Sequence, residues 1–467
     1  MDHLSTVDAG FLQAEDADPN ISLAIGGVSV LEGPMPDFDA LAATLTERLT
    51  TIPRLRQVLH THRLDMGAPE WEDRPDLDLS HHIRRAALPP PGDDAALFRL
   101  TADIIERRLD RDHPLWECWA IEGLADNRWA ILMKVHHCIA DGVSAVRMLT
   151  RLGDDGSAAT SFATETGAAH ERRRSVLPPG ISLNPLDWGR AAWDLSTAAT
   201  GLTAQAVKGT VEILTGLLTP AAQTSLLGPI SSMRRYHAAR VSLADIHAIC
   251  RTFDVTLNDV ALAAITSAFR ALLLNRGEEP THSSLRTLVP VSVRDSADPE
   301  ALESLDNRVS VMLPLLPVDR ANPLDQLRIV HRRMTKAKSS GQKQAGSSAM
   351  GAAGAVPFPV AAWTVRTLTR LPQRGVVTLA TNVPGPPHRL QVLGRNVIRM
   401  YPIPPIALHL RIGIAMLSYG DDFTFGVVAD YDSAPDIAVL TGEIEHAVTR
   451  LAELAKRRGR KAGHLPR

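Results

Sequence analysis

Within one short stretch, His136, His137, Cys138, Asp141 and Gly142 spell HHxxxDG, a set of residue types able to carry proton chemistry. A histidine, with an unperturbed pKa of about 6.5, accepts a proton at neutral pH, which is what a general base must do. Taken singly, each position has an ordinary use: Asp141 as a helix N-cap, Gly142 as a turn residue, the histidines as core or surface groups. The four fixed positions together arise by chance on the order of 10⁻³ in a chain of this length and ordinary composition. His-His-x3-Asp also offers metal-ligand types. Adjacent strand residues diverge, however, and no Cys/His cluster elsewhere completes a shell. No metal is expected.

Flanking elements must position these groups. Trp129, Ile131, Met133 and Val135 alternate with Ala130, Leu132 and Lys134, the period of two of a strand. Asp141 and Gly142 then open a helix in which Val143, Val146 and Leu149 recur at helical spacing until Gly153. A strand that runs up to the pair sends the two histidines to opposite faces. His137 then shares the face of Met133 and Val135, and His136 that of Lys134. One of them can enter a cavity and the other cannot; His137 is the expected base.

The chain has 467 residues, too many for one ordinary core, so two domains are the default. Hydrophobic residues make up 45% and charged residues 22%, which fits a globular rather than a disordered chain. A formal net charge of -2 gives no sign of nucleic acid as a partner. Three cysteines, Cys118, Cys138 and Cys250, show no spacing pattern and imply a reducing compartment without a disulfide framework. The chain opens without a basic region followed by an apolar run, and no uninterrupted apolar run reaches the ~18 residues of a membrane span. The expected location is cytoplasmic, or peripheral to a membrane.

The chain divides into an α/β half over 1–152, a linker with crossover helices over 153–233, and a second α/β half over 234–467. In the first half we expect a strand at Ile21–Leu31, helices at Asp39–Leu49 and Ala95–Leu109, and a strand through Trp119 and Ile121 that turns at Asp126-Asn127. The linker shifts to Gly, Asp, Ser and Thr, with an arginine run at Arg172–Arg174, and a helical pattern follows from Asn184 to Thr219. In the second half we expect strands at Tyr236–Val241, Ser284–Arg294, Asn307–Leu315, Val376–Asn382, Ile412–Tyr419 and Phe423–Ala429. Helices are expected at Leu243–Phe253, from a cap at Asn258-Asp259 to Gly277, at Pro323–Lys338 and at Asp436–Arg457. Ser339–Pro357 reads as a mobile small-residue loop, and the basic tail to Arg467 as disordered.

HHxxxDG, preceded by Pro114-Leu115-Trp116, resembles the bacterial wax ester synthase/diacylglycerol acyltransferase family. The likeness runs through most of the chain: LSTVDAGFL at 4–12, Asn258-Asp259, VPVSVR at 289–294, Asn307-Arg308-Val309-Ser310, TNVPGP at 381–386, and Phe425–Asp430 with Pro435-Asp436. Their order and spacing, rather than any one motif, make it specific. The resemblance implies a two-domain α/β fold of the chloramphenicol acetyltransferase (CoA-dependent acyltransferase) type, with a central tunnel and the histidine at its middle. It also implies acyl transfer from acyl-CoA to a hydroxyl, which makes acyl-CoA a substrate and requires no cofactor. Two departures stand out. The glycine of the usual LGNR element is missing at Leu305-Asp306-Asn307-Arg308, and bulky His409, Leu410 and Arg411 follow Tyr401 where small residues are common.

The implied roles are His137 as general base, His136 as its support, and Cys138 and Asp141 as structural residues. A buried Asp141 needs a cationic partner, for which Arg294 is the first candidate and Arg286 the second. Thr381 or Asn382 would meet the oxyanion, with Asn258, Asp259 and Asn307 as structural support. A small-residue loop and an apolar-faced helix (Phe358, Val360, Trp363, Leu368, Leu371) would admit a long acyl chain beside the tunnel. The expected acceptor is a lipid hydroxyl, in diacylglycerol or a fatty alcohol, which would bring the protein to a membrane or lipid droplet. A condensation-domain-like transferase with carrier-bound acyl groups, or a non-catalytic lipid-associated protein, are the alternatives.

Overall fold

The computed structural model describes residues 2–61, 68–74, 78, 81–154, 224–292, 309–339, 375–386, 388–407 and 409–462. The expected linker and helical pattern from 155 to Thr219, the small-residue loop from 340 with its apolar-faced helix, Arg294 and Asn307 all lie outside them.

The first half comprises β1 (Asp2–His3), α1 (Thr6–Ala17), β2 (Ala24–Glu32), α2 (Phe38–Thr50), β3 (Gln57–His60), β4 (Glu70–Asp73), β5 (Ile83–Ala87), α3 (Asp94–Ile105), β6 (Trp116–Leu124), β7 (Arg128–His136) and α4 (Gly142–Arg151). The second comprises β8 (Arg234–Ser242), α5 (Leu243–Phe253), α6 (Leu257–Asn275), β9 (Thr287–Ser292), β10 (Val309–Met312), α7 (Pro323–Ser339), β11 (Thr378–Val383), β12 (Gln391–Val392), β13 (Arg395–Ile403), β14 (Ile412–Tyr419), β15 (Asp422–Asp430) and α8 (Ile437–Ala462).

Two six-stranded sheets result, ordered β12-β13-β2-β7-β6-β5 and β10-β9-β11-β14-β15-β8. β7 lies inside the first, antiparallel to β2 and to β6, with Ala24 opposite His136. Its alternation separates two cores rather than core from water. Trp129, Ile131, Met133 and Val135 pack with α1, α2 and α4, while Ala130 and Leu132 pack with Phe98, Tyr236 and Tyr401. The second of these cores draws residues from both halves, and Phe98 meets Tyr236 and Tyr401 edge-on at 5.4 Å each. At the end of the β6–β7 hairpin, Asp126 and Asn127 hold φ of 60° and 53°, as a tight turn between twisted strands requires.

Several expectations need correcting. Strands β12 and β13, at 391–403, join the first sheet through β2, although the division at 234 assigns them to the second half. No strand was expected there, and Pro402 sits within β13. Proline is tolerated at this position because the far edge of β13 pairs with β12 only at Arg395 and Asn396. Helix α3 stops at Ile105 rather than Leu109. The buried Lys134 ammonium takes the Ile104 carbonyl at 2.8 Å and also the Arg107 carbonyl, which draws the chain out of the helix. Asn258-Asp259 are not the cap of α6: Thr256 is, in a capping box closed by Asp259. The basic end continues as helix to Ala462.

Helix α6 is the one described helix long and apolar enough to cross a membrane. Most of it is buried inside the protein, so it is the core helix of the second half.

Candidate active site

Strand β7 delivers the histidine pair, and three backbone bonds fix the turn that follows. His136 N–H donates to the Leu115 carbonyl (2.9 Å), His137 N–H to the Leu23 carbonyl (3.0 Å), and Ile139 N–H to the His136 carbonyl (2.9 Å). Asp141 then caps α4, its Oδ1 accepting from Ser144 N–H at 2.8 Å. Chain reversal lays α4 back over β2.

His137 lies in the wall of a cavity of about 370 Å³ where the two halves meet. Phe11, Ile25, Gly27, Val146 and Leu149 line it from the first half, Leu288, Leu379, Val383 and Leu417 from the second, and Met400 and Pro402 from β13. Among the described residues, His137, Asp141, Thr381 and Tyr401 are its only polar side chains. Phe11 stacks on the His137 ring, 4.3 Å between centroids. Burial pushes the His137 imidazole down to about 4; the nearby Asp141 carboxylate opposes this and His136 adds to it. The ring is therefore neutral at pH 7.

His136 points the other way, into a buried polar cluster. Its Nε2 lies 3.4 Å from Glu15 Oε2, with side-chain exposures of 1% and 2%. Glu15 Oε1 accepts from Leu23 N–H (3.0 Å), and Glu15 Oε2 accepts from Arg111 Nη2 (2.9 Å). Cys138 N–H donates to His136 Nδ1 at 3.2 Å, which fixes the proton of the neutral ring on Nε2, facing the carboxylate. Burial works against charge on this imidazole, but the Cys138 and Glu15 side chains outweigh it and raise its pKa to about 9. Burial would likewise raise Glu15; His136, Arg111 and the Leu23 amide prevail and hold it at about 2. Leu23 thus ties both histidines together, through its N–H to Glu15 and its carbonyl to His137.

Phe11, Glu15, Leu23 and Arg111 were not singled out from the sequence. One signal for them was present. Ser5 and Asp8 form the S-x-x-D pattern of a helix start, and Ser5 Oγ accepts from Asp8 N–H at 3.1 Å.

Of the two oxyanion candidates, the structure brings only Thr381 to the cavity. Asn382 alternates to the opposite face of β11, where its Nδ2 donates to Asn258 Oδ1 at 2.9 Å. Asp259 accepts at Oδ2 from Thr256 N–H (2.9 Å) and lies 2.8 Å from His331 Nδ1. The Asn-Asp pair therefore fastens the start of α6 to β11 and α7. Arg286, the second candidate partner of Asp141, donates through Nη1 to the Gly375 carbonyl at 3.2 Å. In the bulky segment after Tyr401, Leu410 lines the cavity, while Arg411 donates to the Ser225 carbonyl (2.8 Å) and the Pro229 carbonyl (3.3 Å). Among the described residues no three His, Cys, Asp or Glu side chains cluster as a metal site would need.

Gly142 is required by a close approach: a Cβ there would stand 2.7 Å from Val383 Cγ2. The variant Gly142→Ala is expected to lose about 1–3 kcal/mol through overpacking. Adding Val383→Ala should recover part of it, read as a coupling energy in denaturant melts. Independent, additive losses would count against the clash.

Over residues 4–261 the chain matches the wax ester synthase/diacylglycerol acyltransferase catalytic domain, and over 305–452 the WS/DGAT C-terminal domain. The chain belongs to the wax ester synthase/diacylglycerol acyltransferase family. It is 53% identical over 459 residues to tgs1 of Mycobacterium tuberculosis H37Rv, a probable diacylglycerol O-acyltransferase, covering 98% of this chain and 97% of the relative. The wax ester synthase/diacylglycerol acyltransferase from Marinobacter aquaeolei VT8 superposes with a TM-score of 0.66 at 26% identity, covering 97% of this chain and 100% of that one. The first condensation domain of the CDA synthetase gives 0.61 at 17% identity over 97% and 96%, a likeness of fold alone. The family membership makes this chain an acyltransferase, built on the two-domain CoA-dependent acyltransferase fold.

Proposed function

We propose that this family member transfers a long acyl group from acyl-CoA to a lipid hydroxyl, with diacylglycerol as acceptor and fatty alcohols as a second class. The observation that carries the reading is a neutral, buried histidine in the wall of an otherwise apolar cavity between two halves. His137 takes the hydroxyl proton as the acceptor oxygen attacks the thioester carbon. Thr381 and nearby backbone amides meet the oxyanion. As the tetrahedral intermediate collapses, the C–S bond breaks and the proton passes from His137 to the CoA sulfur. With both substrates in one cavity no serine or cysteine nucleophile is needed. Asp141 holds the turn, and His136 supports its neighbour. No cofactor takes part; acyl-CoA is a substrate. A lipid acceptor brings the enzyme to the surface of a membrane or lipid droplet.

Names of relatives support the acceptor class. One is a probable diacylglycerol O-acyltransferase, and the Marinobacter protein carries both activities in its name. The test is purified protein with acyl-CoA donors and a panel of diacylglycerol, fatty alcohols and other hydroxyl compounds, products separated by chromatography. Each buried methylene contributes ~0.8 kcal/mol, so kcat/KM is expected to rise from acetyl- toward palmitoyl-CoA until the cavity is filled. A flat or falling profile, or activity only with an acylated carrier protein, would overturn the reading.

A further inference from the structure

The cavity has a direction. Gly142, Ala145, Val146 and Leu149 line it from α4, on the i, i+3, i+4, i+7 face of the helix. Below them β2 contributes Ile25 and Gly27 from one face of the strand. Leu149 lies about 10 Å along the helix axis from Gly142, at 1.5 Å per residue. There it stands over Gly27: a Cβ on Gly27 would lie 3.0 Å from Leu149 Cδ1 and 3.4 Å from the Tyr401 carbonyl oxygen.

The two neighbouring glycines of β2 differ in kind. A Cβ on Gly26 would come within 2.1 Å of the Met133 carbonyl oxygen, so the sheet backbone excludes a side chain there. At Gly27 the nearest atom is the tip of a flexible leucine, and its φ is not in the left-handed region. Glycine weakens the interior of a strand, and at this position it is the close approach of the Leu149 side chain, not of backbone, that leaves room for no more. Leu149 Cδ1 takes the place that a side chain at Gly27 would fill, so strand and helix close on one another there, at the wall of the cavity.

We infer that Gly27 and Leu149 set the length of the polymethylene tail the enzyme accepts, with the tail lying along the cavity face of α4 and Leu149, packed on Gly27, as its end stop. The inference rests on the acyl-transfer reading above, and the tail comes from the acyl donor or from the acceptor. An extended chain advances ~1.2 Å per bond, from about 3.5 Å per three-bond residue. Beyond roughly eight carbons past Gly142, a tail meets Leu149.

The experiment measures kcat/KM for saturated donors from acetyl- to stearoyl-CoA with one acceptor, then for an acceptor series with one donor. Wild type is compared with Gly27→Ala, Gly27→Val, Leu149→Ala and the double variant Gly27→Val/Leu149→Ala. Within each protein the ratio of long-chain to short-chain kcat/KM is read, so a general loss of activity cancels. At about fourfold per methylene, Gly27→Val should lower that ratio by at least about tenfold. Leu149→Ala, which deletes three carbons, should move the optimum roughly two to three carbons longer. The double variant should return toward wild type. A shift in the donor series assigns the tail to the acyl group, and a shift in the acceptor series to the acceptor; both support the end stop. Should Gly27→Val not fold, Gly27→Ala and Leu149→Ala still decide. Unchanged ratios in both series, beside a wild-type profile that does depend on length, would overturn it. Wild-type protein that turns over no acyl-CoA would instead remove the acyl-transfer reading on which it rests.

Discussion

The variant His137→Ala is expected to stay folded and to lose roughly 10²–10⁴-fold in kcat, the share a positioned general base supplies. Truncation removes the stack on Phe11, but the bond from residue 137 N–H to the Leu23 carbonyl belongs to the backbone and remains. His136→Ala should do the reverse: a smaller loss in the chemical step and a larger loss of stability, because its ring is paired inside the protein with Glu15. The pH profile gives a second check. A base works in its deprotonated form, and burial brings the His137 pKa down to about 4. The acid limb of kcat/KM should therefore fall well below the ordinary histidine range, with activity flat through neutrality. Circular dichroism of both variants beside single-turnover rates decides the matter. A chemical step damaged more by His136→Ala than by His137→Ala would reverse the two roles.

The strand-turn-helix around the motif was legible because local rules and tertiary packing agree there. Alternation in β7, the Asp141 cap and the helical spacing of α4 each demand what the fold supplies. Strands β14 and β15 and helix α5 were legible for the same reason: each is set by residues close in sequence. Strand β13 was not. Its pairing partner β2 is over 350 residues away, and a proline such as Pro402 is no local signal for a strand. The end of α3 was hidden too, since the group that unwinds it is an ammonium from another strand. In the site, opposite faces for the two histidines followed from period two alone. What period two cannot say is what waits on the far face. Asn382 was a reasonable oxyanion donor until its amide proved to be held by Asn258. Glu15 lies 121 positions before His136 in the chain, so only the folded chain brings carboxylate and imidazole together.

That buried carboxylate carries the other large effect. Glu15→Ala is expected to cost about 3–5 kcal/mol, the penalty for removing one partner of a buried ion pair. Two donors, Arg111 Nη2 and Leu23 N–H, lose their acceptor at once, and His136 loses the carboxylate that lies 3.4 Å from its Nε2. The sign of its pH dependence follows from the two shifts. Glu15 is held down to about 2 from 4.5, so its contribution is present above pH 4.5 and is lost as pH falls toward 2. His136 is raised from 6.5 to about 9, so its contribution is present below pH 6.5 and is lost as pH rises through 9. The gap between wild type and Glu15→Ala should then be widest between about pH 4.5 and 6.5 and narrow on either side. Glu15→Gln keeps an oxygen for the Leu23 amide and removes the charge, so it should fall between the two proteins. Urea melts across that range, with m unchanged, measure the gap. A loss under about 1 kcal/mol that is flat in pH would mean the carboxylate is not the charge partner of His136. The carbonyl of Leu23 anchors His137 while its N–H is held by Glu15. Surviving Glu15→Ala protein should for that reason also turn over more slowly at saturating substrate, as a base set out of place would.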